Sequence, residues 1–196
     1  MSLLGTANKR QETRPPADAD ELGDVVVKDE SGGDVRLREL WSDRPTVLVF
    51  LRHYGCTHCR IYVSQLDRER ERFDEAGVRL AVVGQGRPEQ AARFKEKQKL
   101  DLPLYADEQR LSYKAGGMKK ATFGELVGPG VLAKGIRGAA KERVVQGRFV
   151  GHPAQLGGVL IVNPDGSIPY THLSEDAGDN PPPDEVLEAA RAAASG

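Results

Sequence analysis

The stretch TVLVFLRHYGCTHCR, residues 46–60, decides how this chain is expected to fold. Residues 46–51 are apolar and β-branched, which predicts a central strand covered on both faces. The stretch also holds the only two cysteines, Cys56 and Cys59, and a charged pattern with helical spacing follows as far as residue 75. The first turn of a helix offers unpaired backbone N–H groups and the positive end of the helix dipole, and both lower the pKa of a thiol placed there. The stretch therefore predicts a reactive dithiol between a strand and a helix.

The spacing of the two cysteines assigns them different roles. At 100° per residue, Cys59 shares a helical stripe with Tyr62, Leu66 and Phe73, and this stripe should face the core. Cys56 lies off the stripe, nearer the loop and the solvent. We therefore expect Cys56 to be the attacking thiolate and Cys59 to be the shielded resolving thiol that closes a disulfide after the first attack.

Charged and titratable side chains flank the dithiol. Arg52 and Arg60 could support the thiolate electrostatically, and surface charge is an equally weighted interpretation of both. His53 and His58 could shuttle protons, but a solvent-exposed position without a role is the favoured interpretation of either. The site expected from the sequence thus consists of Cys56 and Cys59 as catalytic residues, with Arg52, His53 and Arg60 as candidates for thiolate support.

Other uses of a Cys-x-x-Cys pair fit the sequence less well. A structural zinc site needs four ligands, whereas this chain has one cysteine pair and histidines without paired spacing. A c-type haem motif needs histidine directly after the second cysteine, where Arg60 stands. The favoured interpretation is a thioredoxin-like redox motif that needs no metal and no cofactor. A non-enzymatic redox sensor, and a metal-binding protein that uses both cysteines and a histidine, are the alternatives.

Length and charge limit the partners. The chain has 196 residues and a net charge of −1, so it offers no general attraction to nucleic acid or to a membrane surface. No apolar run approaches the length of a membrane span, and the N-terminus lacks the apolar stretch of a secretory signal. We expect a cytoplasmic protein that is a monomer or a homodimer and has neither a nucleic-acid nor a membrane partner.

The rest of the chain alternates between strand and helix patterns. Residues 1–20 are polar and predict a disordered tail, and residues 21–194 predict a single domain. The predicted elements are a hairpin of 25–27 with 35–37, the strand 46–51, a helix to about residue 76, a strand at 78–83, a helix from Pro88 to about residue 100, a short extended segment at 102–105, a hairpin of 159–162 with 168–172, and a last helix capped by Asn180. Gly84-Gln85-Gly86 predicts a plain turn. Together the elements predict an α/β fold of the thioredoxin type with an N-terminal β-hairpin.

Residues 110–157 form a predicted insertion before the last β-hairpin. It is helical only in short pieces, because eleven of the 22 glycines lie between residues 116 and 158. The insertion is also basic, which suggests two interpretations. The first is a solvated, loop-rich segment. The second is a lid over the dithiol that favours an anionic substrate, such as an anionic lipid, through Lys119 and Lys120.

Three stretches resemble a known family. Residues 50–60, 155–162 and 172–179 resemble, in this order, the peroxiredoxin-like 2 group of the alkyl hydroperoxide reductase/thiol-specific antioxidant superfamily. The resemblance implies an antioxidant oxidoreductase with a redox-active disulfide, which reduces a peroxide, an endoperoxide or a protein disulfide. It also implies recycling by thioredoxin or a similar donor. A related branch resembles the prostaglandin F synthases, which reduce a lipid endoperoxide through the same motif.

The same resemblance does not decide which of the two cysteines attacks a peroxide. The Thr-x-x-Cys motif of true peroxiredoxins would place Cys56 at the threonine and Cys59 at the peroxidatic position. The arginine that accompanies this motif has no basic counterpart here, because Gly157 and its neighbours stand at that position. Gly158 stands where thioredoxins have a proline before the late strand. Cys56 is therefore the expected nucleophile for disulfide exchange, and either cysteine for peroxides.

Overall fold

A seven-stranded mixed sheet forms the centre of the structure, a computed structural model that describes residues 12–122 and 152–195. The strands are β1 (Val26–Lys28), β2 (Asp34–Arg36), β3 (Thr46–Leu51), β4 (Arg79–Gly84), β5 (Leu104–Ala106), β6 (Gly158–Val162) and β7 (Tyr170–Leu173). Their order across the sheet is β2-β1-β5-β4-β3-β6-β7. Strands β3, β4 and β5 run parallel, and β6 pairs antiparallel with both β3 and β7. The predicted N-terminal and C-terminal hairpins are confirmed by the pairs β1–β2 and β6–β7.

Helices cover both faces of this sheet. They are α1 (Asp20–Gly23), α2 (Thr57–Arg68), α3 (Arg70–Glu75), α4 (Pro88–Gln98), α5 (Leu111–Ala115) and α6 (Pro183–Ala194), and a 3₁₀ turn lies at Leu37–Trp41. All side chains of β3 are buried, as expected for a central strand with cover on both sides.

Alternate residues of β3 enter two separate cores. Val47, Val49 and Leu51 pack on the side that holds both cysteines and helices α2, α4 and α6. Leu48 and Phe50 pack on the other side, against the N-terminal segment, the 3₁₀ turn and α5. The period of two residues along a strand explains this division, and it confirms the predicted sheet with cover on both faces.

Two predicted helix boundaries are wrong. The helix after the cysteines was expected to continue to about residue 76, but it is interrupted at Glu69, whose backbone leaves helical geometry (φ −92°, ψ 1°). Phe73, in α3 beyond the interruption, is fully buried, as expected for a residue of the core-facing stripe. The last helix begins at Pro183 rather than after a cap at Asn180, because residues 180–182 each precede a proline, which disfavours helical geometry.

Two predictions concern segments that the structure describes only in part. The helical, Gly-rich insertion lies mainly in residues 123–151, outside the described residues. The tail of residues 1–20 stays a prediction for its first eleven residues, which are also outside the description. Within residues 12–19, the backbone N–H of Arg14 donates to the carbonyl of Gly117 at 3.3 Å, and Ala19 is buried in the core.

Candidate active site

Cys56 lies at the junction between β3 and α2. The chain leaves β3 at Leu51 and turns through residues 52–55, and the backbone N–H of Cys56 donates to the carbonyl of His53 at 3.0 Å. Cys56 has extended backbone geometry and is the N-cap residue of α2. Its sulfur accepts a hydrogen bond from the backbone N–H of Cys59 at 3.4 Å, the contact that a serine or aspartate oxygen usually makes at this position.

Three donors surround the Cys56 sulfur. Besides the backbone N–H of Cys59, the Cys59 thiol donates to it, and Nη1 of Arg52 lies 3.6 Å away. These hydrogen bonds, led by the one from the Cys59 thiol, together with the charge of Arg52 outweigh the burial of the sulfur and lower the pKa of Cys56 to about 6. Cys56 is therefore mainly a thiolate at neutral pH.

Cys59 has the opposite electrostatic environment. Burial raises its pKa well above the usual range, and the hydrogen bond and charge of the neighbouring Cys56 raise it further. The nearby charge of Arg52 offsets this only in part. The pair thus consists of one thiolate and one thiol, and the thiol donates to the thiolate. Both cysteines are in the reduced, free form.

The expected difference in exposure between the cysteines is wrong. Cys56 is 2% exposed and Cys59 is 4% exposed, so neither sulfur lies nearer the solvent. Residues 152–156, which we call the strap, are held at the site through Arg52, whose Nη2 donates to the carbonyl of Pro153 at 2.9 Å. Helical periodicity places Cys56 off the core-facing stripe of α2, but it carries no information about contacts with distant segments of the chain.

Arg52 and Arg60, the arginines that flank the dithiol, have different surroundings in the structure. Arg52 is buried and contacts the Cys56 sulfur. The guanidinium of Arg60 instead faces Gln98 on α4: with the amide of Gln98 in its alternative orientation, its oxygen accepts from Nε and Nη2 of Arg60 at 3.1 and 2.9 Å. The cation whose charge acts on both cysteines is therefore Arg52.

Neither histidine of the motif has the solvent-exposed position that was expected. His53 is 1% exposed, contrary to the expected solvent-exposed position, and His58 is half-buried. Burial, with a smaller contribution from the charge of Arg52, lowers the pKa of His53 to about 4. His53 is therefore neutral at physiological pH, so it does not add a positive charge beside the thiolate.

Gln85 belongs to the site, although the sequence predicted only a plain turn around it. Its side chain is fully buried and donates through Nε2 to the carbonyl of Arg52 and to that of His152, the latter at 2.9 Å. Its Oε1 accepts from the backbone N–H of His152 at 2.8 Å. One signal could have indicated this position: Arg52 and Gln85 each follow directly after a parallel strand, and such strand ends meet at one edge of a sheet.

Lys119 does not have the exposed position that the lid interpretation of the insertion requires. Lys119 is 1% exposed, and its ammonium group pairs with the carboxylate of Glu175. Its carbonyl also accepts hydrogen bonds from the backbone N–H of Leu156 at 3.1 Å and from the side chain of Gln155 at 3.2 Å. Lys119 therefore anchors the end of the strap. Lys120 is exposed, as the expectation required.

Two further observations bear on other types of site. Within residues 12–122 and 152–195, no group of three or more His, Cys, Asp or Glu side chains is arranged to hold a metal ion. Over the same described residues, none of the helices combines the length and apolar character needed to span a bilayer.

Known proteins with similar sequences include thiol oxidoreductases. The model of the AhpC/TSA antioxidant enzyme family matches residues 65–176, which begin after both cysteines. The prostamide/prostaglandin F synthase of Salmo salar is 35% identical over 174 residues, which cover 86% of this chain and 85% of that protein. Peroxiredoxin-like 2C of Bos taurus is 33% identical over 177 residues, which cover 85% and 77%.

Solved structures show the same fold at lower sequence identity. Peroxiredoxin Q of Xanthomonas campestris superposes with a TM-score of 0.65 at 18% identity, and the alignment covers 93% of this chain and 98% of that one. This likeness concerns the fold alone, and it agrees with the expected thioredoxin-like α/β architecture.

Proposed function

Because this chain belongs to the AhpC/TSA antioxidant enzyme family and is a peroxiredoxin-like thiol oxidoreductase, we propose that it reduces the O–O bond of a small peroxide or endoperoxide through Cys56 and Cys59. The observation that supports this most directly is the position of Cys56 at the head of α2. There its sulfur receives hydrogen bonds from Cys59 and lies 3.6 Å from Nη1 of Arg52. A thiolate, not a thiol, is the nucleophile in such chemistry.

The first proposed step is attack of the Cys56 thiolate on one oxygen of the substrate. An S–O bond forms and the O–O bond breaks. With a hydroperoxide, Cys56 becomes a sulfenic acid and the other oxygen leaves as an alkoxide, which takes up a proton to become an alcohol. With an endoperoxide, Cys56 carries the ring oxygen as a sulfenate ester. Arg52 stabilises the thiolate before attack.

The second proposed step closes a disulfide. Cys59 loses its proton and attacks the Cys56 sulfur, which releases water from the sulfenic acid or an alcohol from the ester. Consumption of the Cys56 thiolate removes one of the causes that raise the pKa of Cys59, so the first step favours the second. A thioredoxin-like dithiol then reduces the disulfide by exchange. The cytoplasm supplies such donors, and we propose it as the location.

The geometry favours a small substrate over a protein disulfide. Both sulfurs are nearly inaccessible, and the strap lies against Arg52 at the site. A peroxide group can reach a buried sulfur of the reduced site through a small opening, whereas exchange with a folded protein, including the step that recycles the disulfide, requires a larger one. Relatives named prostamide/prostaglandin F synthase support a lipid endoperoxide as one substrate to test.

Arg52 also supplies the positive charge that position 157 cannot, because a Cβ there would lie 1.9 Å from the carbonyl oxygen of Phe50.

Single-cysteine variants test this proposal. Cys59→Ser should still consume one equivalent of hydroperoxide and leave a sulfenic acid on Cys56, which a dimedone label and peptide mass spectrometry detect. Cys56→Ser should consume none. The wild-type protein should show multiple turnovers with thioredoxin, thioredoxin reductase and NADPH, and neither variant should do so by the disulfide route.

Two results would contradict the assignment. If Cys56→Ser retained the single turnover and Cys59→Ser lost it, Cys59 would be the nucleophile, as the peroxiredoxin alignment implies. If the wild-type protein formed the disulfide but never turned over with any thioredoxin-type donor, the chain would be a redox sensor. Hydrogen peroxide, cumene hydroperoxide and a lipid endoperoxide should be compared in the same assay, because their relative rates identify the substrate class.

A further inference from the structure

Gln85 connects the backbone groups of two residues, Arg52 and His152, that are far apart in the chain. Its amide nitrogen donates to the carbonyls of Arg52 and His152, and its amide oxygen accepts from the N–H of His152. The side-chain amide thus pairs with the peptide groups of His152 as a neighbouring strand would. It holds the strap to the end of β3.

Arg52 depends on both ends of this connection. Its carbonyl accepts from Gln85, and its guanidinium donates through Nη2 to the carbonyl of Pro153, the residue that follows the one Gln85 holds. The other terminal nitrogen, Nη1, contacts the Cys56 sulfur. Gln85 therefore fixes the backbone from which Arg52 extends and also the position of the acceptor that orients its guanidinium.

We propose that Gln85 is a positioning residue that holds the guanidinium of Arg52 against the Cys56 sulfur. A glutamine suits this role because one planar group supplies two donors and an acceptor. Glutamate of the same size could accept from His152, but it could not donate to the two carbonyls. Gln85 is fully buried, and its amide bonds to the backbone of Arg52 and His152, so its effect on the nucleophile passes through Arg52. The inference rests on the proposed role of Cys56 as the thiolate.

The test measures the pKa of Cys56 directly. In a Cys59→Ser background, Cys56 is the only thiol, and the serine hydroxyl can replace the hydrogen bond of Cys59. The rate of alkylation by iodoacetamide as a function of pH reports the thiolate fraction. Arg52→Met should raise the pKa by about one unit or more, the usual effect of a nearby opposite charge. Gln85→Met should raise it in the same direction by at least about half as much.

Gln155→Met is the matched control. Gln155 lies in the strap and, like Gln85, is a buried glutamine. Its side chain donates to the carbonyls of Lys119 and Leu156 instead of to that of Arg52. Its replacement should lower the melting temperature, as we also expect for Gln85→Met, and leave the pKa of Cys56 unchanged. The double variant Arg52→Met/Gln85→Met should have the pKa of Arg52→Met alone, because Gln85 has no effect without Arg52.

The neighbouring titratable groups do not obscure this readout. The motif and the strap contribute the titratable groups Cys59, His53, Tyr54, His58 and His152. The pKa values of His53 and His152 are lowered, that of His53 to about 4, and the pKa of Tyr54 is raised by burial. Cys59 is absent from the background used. The transition in alkylation therefore belongs to Cys56, the one thiol left in this background.

Several outcomes would overturn the inference. An unchanged pKa in Gln85→Met, equal shifts in Gln85→Met and Gln155→Met, or additive shifts in the double variant would each exclude positioning through Arg52. If Gln85→Met fails to fold, Gln85→Asn keeps a neutral amide but is one methylene shorter, and it should show the same upward shift. The measurement requires no peroxide, so its failure is distinguishable from failure of the proposed peroxide chemistry.

Discussion

At the scale of single residues, two arginines that look equivalent in the sequence have different surroundings. Arg52 and Arg60 both lie four residues or fewer from a cysteine. Arg52 is buried and lies 3.6 Å from the Cys56 sulfur, whereas Arg60 faces Gln98 across the gap between α2 and α4. An ion pair in a buried position is screened less by solvent than an exposed one, so the effect of Arg52 on the thiolate should be measurable.

The pH dependence of peroxide reduction tests this difference. The pKa of Cys56 is lowered to about 6, so the wild-type rate should be constant above neutral pH and fall as the pH drops through about 6, where the thiolate becomes protonated. Arg52→Met should move this fall upward by about one unit or more. Single-turnover kinetics with hydrogen peroxide between pH 5 and 9 would measure the shift.

Arg60→Met is the matched control for that experiment. It removes an arginine one residue beyond the motif, whose guanidinium faces Gln98 instead of the Cys56 sulfur. Its pH profile should coincide with that of the wild-type protein. Equal upward shifts in both variants would show that general positive charge near α2, and not the contact of Arg52, sets the reactivity.

At the scale of secondary-structure elements, the site depends on the close approach of the strap to β3. Gly157 follows the strap and precedes β6, and a Cβ at this position would lie 1.9 Å from the carbonyl oxygen of Phe50. The backbone N–H of Ser174, on the far side, donates to the carbonyl of Gly157 at 3.1 Å. Neither neighbour is a flexible side chain, so the chain cannot relax locally around a larger residue.

Gly157→Ala should therefore destabilise the protein strongly. We expect a loss of unfolding free energy above the usual range of about 1–3 kcal/mol for overpacking, because the clash is with backbone. Gly77→Ala is the control: Gly77 has φ of +73° and open space around it, so its replacement should cost only about 1–2 kcal/mol of backbone strain. Chemical denaturation would compare them, and equal losses would exclude the close approach as the cause.

At the scale of the whole molecule, acid stability depends on histidines with opposite pKa shifts. Burial lowers the pKa of His53 to about 4, whereas the hydrogen bond from His172 to Asp179, at 3.1 Å, raises the pKa of His172. His53 stabilises the fold while it is neutral, so its contribution is complete above the unfolded value of about 6.5 and is lost as the pH falls toward 4. His172 contributes below the unfolded value, and its contribution is lost as the pH rises through the folded value.

His53→Asn should reduce the loss of unfolding free energy that the protein undergoes as the pH falls below about 6. Between pH 6 and 4.5, the wild-type protein should lose up to about 2 kcal/mol through this histidine, at about 1.4 kcal/mol per pH unit. The variant should lose less over the same range. Urea denaturation at several pH values would measure this, and carboxylates that titrate in both proteins cancel in the comparison.

His172→Asn provides the opposite sign in the same series. It removes a group whose contribution is complete below the unfolded value of about 6.5, so it should lower the unfolding free energy by a constant amount at acidic pH. With the series extended above pH 6.5, the variant should lose less stability than the wild-type protein as the pH rises, because the contribution of His172 is lost there. If the unfolding free energy of His53→Asn fell as steeply with decreasing pH as that of the wild-type protein, proton uptake by this buried imidazole could not be a cause of acid unfolding.

The local features of this protein follow from its amino-acid sequence alone. The apolar run at 46–51 predicts the central strand, the Cys-x-x-Cys pair predicts the dithiol at the head of α2, and the order of patterns predicts the mixed α/β sheet. These predictions succeed because strand and helix periodicity, turn residues and helix dipoles act over a few neighbouring residues. Helix boundaries at Glu69 and Pro182 were missed, because packing and proline sterics there override the helical pattern.

The environment of the sulfurs was decided only by the tertiary structure. Arg52 meets Pro153 across 101 residues of sequence, and Gln85 meets His152 across 67. Periodicity cannot predict such contacts, because they arise when the ends of parallel strands and a returning segment converge at one edge of the sheet. This convergence makes Arg52 the cation beside the Cys56 sulfur and turns Gln85 from a predicted turn residue into part of the site.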